Sequence, residues 1–134
     1  MRDIKFRAWD YSKKLIYRFS LEEVMDYEIL DGYNYDAIMQ YTGLTDKNGV
    51  EIYEGDILSQ PYCNIIFPTF GQNYIGKNEG VDIGAVIWAY DCWRIEDAKN
   101  ENLISIVSQC EVIGNIYENK ELLEQHYWSH NETH

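Results

Sequence analysis

Apolar residues in this chain come in short alternating runs closed by turn residues, which leaves room for little but β-sheet. The run TDKNGVEIYEGDIL, residues 45–58, shows the pattern most densely. Asn48-Gly49 favours positive φ at both central positions, the requirement of a type I′ hairpin turn, so two paired strands are predicted here. After the turn Val50, Ile52 and Glu54 fall on one face, Glu51 and Tyr53 on the other. Gly55-Asp56 then breaks the alternation ahead of Ile57-Leu58, as a bulge or sharp bend would. Asn48, Gly49, Gly55 and Asp56 are therefore read as structural turn residues.

Similar runs recur at roughly 10-residue spacing, the pattern of a small barrel or curled sheet. IKFRAWD (4–10) and LIYRF (15–19) flank the polar turn DYSKK. In the first run Ile4, Phe6 and Ala8 make an apolar face, and Lys5, Arg7 and Trp9 make a face that starts cationic. Ser20 with Glu23 three residues on resembles a capping box, and Leu21, Val24, Met25 and Glu28 would share one side of a short helix. Residues 22–36 hold six acids and no base and are read mostly as loop. AIMQYTGL (37–44) is a strand. Residues 59–80 hold both prolines and several polar or glycine clusters, and predict a long loop or a loosely paired ribbon. GAVIWAY (84–90) reads as a buried strand, and CWRI, LISIVSQ and EVIGNIY add further strands. KELLEQHYWSH (120–130) reads as a short amphipathic helix with Leu122, Leu123 and His126 near one stripe. Twelve Tyr, four Trp and four Phe in 134 residues support a mainly β fold. The expected organisation is an N-terminal hairpin and loop region over 1–45 and a small barrel with a C-terminal helix over 46–134, packed as one unit.

Charge narrows the partners. Residues 1–20 carry six bases against two acids, and the remaining 114 carry five against twenty-one. Duplex binding needs a basic face to release phosphate counterions, and most of this chain would repel DNA. Nucleic acid is therefore not an expected partner, and solubility is the simpler account of the acidity. No apolar run nears the roughly 18 residues of a membrane span, and the N-terminus is charged throughout, so neither a span nor a signal peptide is expected. Cys63, Cys92 and Cys110 are odd in number and lack C-x-x-C spacing, as free thiols in a reducing cytoplasm would be.

The candidate chemistries fail one by one. A calcium loop counted from Asp46 places Asn48 well, but its sixth position needs Gly and is Glu51, and its twelfth needs Glu and is Ile57. Glu54 and Asp56 could form an acid–base pair only in a pocket that splits their pKa values, and Asp at a bend commonly ties its own backbone instead. His126, His130 and His134 lie four apart, yet Tyr127 stands where the metalloprotease pattern needs Glu. Neither a G-x-S-x-G elbow nor a phosphate-binding glycine loop occurs. No catalytic residue, metal or cofactor is expected, and the protein is not expected to be an enzyme. What remains is aromatic: Trp88, Tyr90 and Trp93, beside Arg94, with Trp88 and Tyr90 on one side of their strand. Trp88 is expected mainly in the core and Trp93 at the surface.

The blocks IKFRAWD, MQYTGLTDKNGVEIYEGDIL and EVIGNIYEN followed by ELL resemble, in order, the YopX family of phage and prophage proteins. They span Ile4 to Leu123. This resemblance implies a C-terminal SH3-like small β-barrel and a bacterial cytoplasmic setting, but no activity. Lys120 stands where many members have Pro. The expected function is a non-enzymatic binding module whose partner is a host or phage protein, or a small nucleotide-like ligand. For the nucleotide reading, a sponge of a bacterial defence signal, the aromatics would stack on the base and Arg2, Lys5 and Arg7 would meet the phosphates. Trp88, Tyr90, Trp93 and Arg94 are the further candidate binding residues. A site of that kind would form between subunits of a homo-oligomer, since one small barrel offers little concavity. A third reading is an acidic mimic that occupies a host DNA-binding protein.

Overall fold

The computed structural model describes residues 3–24, 37–68, 70–71 and 73–124. Strands β1 (Lys5–Asp10), β2 (Leu15–Ser20), β3 (Ile38–Thr45) and β4 (Glu51–Tyr53) form one antiparallel sheet in the order β2-β1-β3-β4. Strands β5 (Asp56–Ile66), β6 (Gly76–Ala89), β7 (Cys92–Asp97), β8 (Leu103–Ser105) and β9 (Glu111–Asn115) form the second, in the order β8-β7-β6-β5-β9. The fold is mainly β, with the second sheet curled into a half-barrel. No described helix is long and apolar enough to cross a membrane.

Local chemistry accounts for the element ends. The Asp10 carboxylate accepts from Ser12 and Lys13 N–H groups and turns β1 into β2. Ser20 Oγ accepts from Glu23 N while Glu23 Oε1 accepts from Ser20 N, the expected capping box of α1 (Leu21–Val24). One helical turn covers 121–124. Met25, Glu28 and the three histidines lie outside the described residues.

The turn at Asn48-Gly49 corrects the type I′ expectation. Gly49 has φ +81°, but Asn48 does not have positive φ. Instead Gly49 N donates to Asp46 O, Asp46 N donates to Val50 O, and the Asp46 carboxylate accepts from Asn48 and Val50 N–H. This is a type I turn followed by a left-handed glycine, chosen because Asp46 satisfies three of the turn's groups with one residue. The turn with positive φ at both central positions lies elsewhere, at Tyr90 (52°) and Asp91 (67°) between β6 and β7.

β4 buries both faces, so its alternation marks no solvent side. Ile52 joins Leu58, Val86, Ile95 and Cys110 in the half-barrel core, while Tyr53 packs on the opposite side against Tyr41, ring centroids 5.5 Å apart. A second cluster of Trp9, Ala37 and Met39 lies under β1 and β3, with Trp9 stacked 5.9 Å from Tyr117. The chain changes sheets at Glu54-Gly55. Gly55 has φ +83°, and a Cβ there would come within 3.0 Å of Met39 Sδ, so this joint needs glycine.

Of the two expectations for residues 59–80, the ribbon is the one found, with 59–66 in β5 and 76–80 in β6. β5 and β6 pair without interruption from Ile57↔Ala85 to Ile66↔Gly76, a long ribbon leaving the half-barrel. Buried Gln60 secures its base: its Nε2 donates to Ser105 O and its Oε1 accepts from Val107 N, so a side chain closes the curl where no strand ladder does.

Candidate functional site

Of the described N-terminal bases, Arg7 is committed to the interior, while Lys5 is part-exposed. Arg7 lies opposite Met39 in the sheet and is 5% exposed. Its Nη2 donates to Asp56 Oδ1 at 2.5 Å, Asp56 Oδ2 accepts from Tyr53 N at 2.8 Å, and the guanidinium lies 4.7 Å from the Tyr53 ring centroid. The face expected to present cations is thus covered at Arg7 by Asp56, while Lys5 on the same face stays part-exposed. Burial pushes the Asp56 carboxyl above its usual value; the Arg7 charge and the Tyr53 N–H oppose that shift without cancelling it. Lys5 Nζ pairs with Glu51 at 2.5 Å and lies 5.3 Å from the Tyr41 ring centroid; the bond to Glu51 raises its pKa. Arg2 lies outside the described residues. Arg94 Nε donates to Ala89 O and holds the β6–β7 turn.

The two strand tryptophans exchange their expected places. Trp88 and Trp93 are directly paired across β6 and β7, so both rings lie on one side of the sheet, 5.1 Å apart and nearly edge to face. Trp93 packs against the core cluster, whereas Trp88 is 55% exposed. Neither pattern nor composition could tell which of two paired indoles would reach the core. Tyr90 is exposed in the turn rather than on the strand, so it does not share the Trp88 face by strand alternation.

A cleft of about 420 Å³ opens between the two sheets beside these indoles. Trp88, Trp93 and Tyr41 supply its aromatic surface, and Asp3 and Glu54 are its charged residues, with Gln40 and Thr42 also on the wall. Glu54 is positioned by the joint: its N donates to Gln40 O, and its Oε1 accepts from Gln40 N at 3.3 Å. The two carboxylates flanking Gly55 therefore serve different surroundings, Asp56 the buried Arg7 and Glu54 the cleft. Indole and phenol faces attract cations, and the carboxylates add to that preference. Phosphate would meet acids here.

Asp3, Gln40 and Tyr41 carried no sequence signal as site residues, and Glu54 was weighed only as an acid–base partner of Asp56, because all four join Trp88 only when the two sheets meet. A second, shallower depression of about 500 Å³ lies beside the half-barrel and includes Glu96, Asp97, Glu101 and Glu124. Among the described residues no group of acids, histidines and cysteines has the geometry of a metal site. Cys63, Cys92 and Cys110 are free thiols, and burial raises the pKa of Cys110.

A family model described as YopX protein matches residues 20–124. The crystal structure of protein EF1440 from Enterococcus faecalis is similar, with a TM-score of 0.52 and 24% identity over 90% of this chain and 97% of that one. That likeness speaks for the fold alone. No curated protein matches.

Proposed function

We propose that this chain, which belongs to the YopX family, is a non-enzymatic binding module that receives a cationic group in the Trp88–Trp93 cleft. Its setting in this reading is a phage or prophage protein in the bacterial cytoplasm, with the curled sheet serving as an SH3-like module. The ligand class is a lysine or arginine side chain on a host or phage protein. One observation carries the reading: a half-exposed tryptophan in a cleft whose charged residues are carboxylates. An exposed cation over an indole contributes about 0.5–1 kcal/mol, and more when water is excluded. The Tyr90-Asp91 turn beside Trp88 adds support, since left-handed non-glycine residues cost on the order of 1 kcal/mol each and gather at functional sites.

The nucleotide reading receives less support. Arg7 is held by Asp56, Lys5 by Glu51, and Arg94 by Ala89 O, so none of the three faces a phosphate site alone. The acidic-mimic reading keeps one favourable observation, the depression bordered by Glu96, Asp97, Glu101 and Glu124.

Titration calorimetry with short lysine- and arginine-bearing peptides and a panel of cyclic and ADP-ribose-like nucleotides separates these readings. Peptide binding is expected, weakened about tenfold by Trp88→Ala, a loss of about 1.4 kcal/mol, and also weakened by Glu54→Gln. Heat with the nucleotides and none with the peptides would sink the cationic reading. Turnover of a nucleotide or nucleic acid that Glu54→Gln abolishes would sink the non-enzymatic one.

A further inference from the structure

The β5–β6 ribbon continues well past the sheet that anchors it. β5 pairs with β9 only through Ser59, and β6 pairs with β7 only from Gly84. Beyond those registers neither strand has another strand neighbour among the described residues. The Tyr62 ring lies across the ribbon at Gly80, where a Cβ would meet its hydroxyl at 2.5 Å, and this cover stiffens the arm.

One strand of the arm and its tip differ chemically from the body. Residues 57–76 contain no Asp, Glu, Lys or Arg, although a quarter of the chain is charged, whereas the returning strand carries Lys77, Glu79 and Asp82. The arm's outer end exposes Ile65, Ile66, Phe67, Phe70, Tyr74 and Ile75, with Phe67 71% and Tyr74 66% exposed and Phe70 fully so. Aromatic side chains carry about 150–250 Å² each, so with the isoleucines the tip exposes on the order of 800 Å² summed over both faces of the ribbon. A partner arm that covers both faces would therefore gain about what one partner contributes to a standard interface.

We propose that this arm tip is a docking surface for the arm of a second copy of the chain. A net charge of −12 makes two bodies repel, and a projecting arm whose charged residues are Lys77, paired with Glu79, and Asp82 allows contact while keeping them apart. A two-fold contact sets the same patch against itself, which an apolar patch satisfies and a singly charged one does not. The free ribbon edges point the same way. Their unpaired N–H and C=O groups can extend a sheet with another arm, whereas a bilayer interior offers them no partners. This inference stands apart from the cleft.

Sedimentation equilibrium of the full chain tests it, alongside Phe67→Asp/Tyr74→Asp and flotation with neutral phosphatidylcholine vesicles. The expected result is a wild-type dimer whose association weakens at least about 100-fold in the double variant, as loss of aromatic anchors does. Both sites are exposed, so circular dichroism should match the wild type, and thermal melting should match it at concentrations where the wild type is dissociated. A wild-type monomer at the highest soluble concentration overturns the proposal. So does a dimer that the double variant leaves intact. Vesicle capture of a monomer, lost in the double variant, would overturn it in favour of a membrane surface.

Discussion

Two stretches of this molecule turn one strand into the next, and they handle backbone strain in opposite ways. From Asp46 to Asp56, glycines take the left-handed positions and carboxylates tie down the neighbouring N–H groups. Asp46 reaches further, accepting from Val112 N on β9, and Asp56 reaches Arg7 on β1. At Tyr90-Asp91 the same left-handed conformation falls on two residues with side chains, at the exposed end of the hairpin that carries Trp88 and Trp93. The first stretch holds the sheets together. The second accepts strain beside the cleft, which shows where this fold keeps its stability and where it gives some up.

The largest effect is expected at the joint. Asp56→Ala leaves the Arg7 guanidinium buried without its counter-charge and should cost about 3–5 kcal/mol in urea unfolding. Adding Arg7→Met should recover part of that loss. A double variant as unstable as the single one would show that Arg7 holds the joint through packing on Tyr53 rather than through charge.

Asp46 ranks next. Asp46→Ala removes the acceptor of three backbone N–H groups and should cost about 2–3 kcal/mol at neutral pH. Burial alone would raise the Asp46 pKa, but the N–H groups of Val112, Val50 and Asn48 outweigh it and leave the pKa lowered. Its stabilisation is therefore present above the unfolded pKa, near 3.9, and lost as pH falls through the folded value. Asp56 carries the opposite sign, contributing below the unfolded pKa and losing that contribution as pH rises through its raised folded value. Melting temperatures between pH 5 and 2 should fall less steeply in the Asp46 variant, and an unchanged slope would refute its role.

The smallest effect should come from Tyr90→Asn with Asp91→Gly, which suits a two-residue turn with positive φ. A gain of about 1 kcal/mol is expected, read as a higher melting temperature. A loss would mean that the exposed Tyr90 ring makes contacts worth more than its strain.

The aspartate-glycine comparison also marks how much the sequence could say. Alternation at IKFRAWD, LIYRF and AIMQYTGL placed three strands within a residue or two, and Ser20 with Glu23 placed a cap, because these depend on neighbours in the chain. Gly55-Asp56 was legible as a bend for the same reason. Asn48-Gly49 suggested a type I′ turn, but Asp46 two residues earlier offered a carboxylate that binds the turn's backbone, a local competitor that the Asn-Gly signal overshadowed. Residues 59–80 left a long loop and a paired ribbon both open, because their glycines and Pro61 weaken a strand locally, and the β5–β6 pairing decides for the ribbon.

What the sequence determined by itself was the β class, the breaks between strands and the family, all properties of short windows. The tertiary structure decided which face of each strand was inside. Arg7 turned inward because Asp56 from another sheet awaited it, Trp88 stayed exposed while its cross-strand partner Trp93 packed against the core, and Glu54 reached the cleft because Gly55 sent its neighbour elsewhere. Each outcome depends on a contact between residues distant in sequence, and periodicity along a single strand carries no information about what the strand will meet.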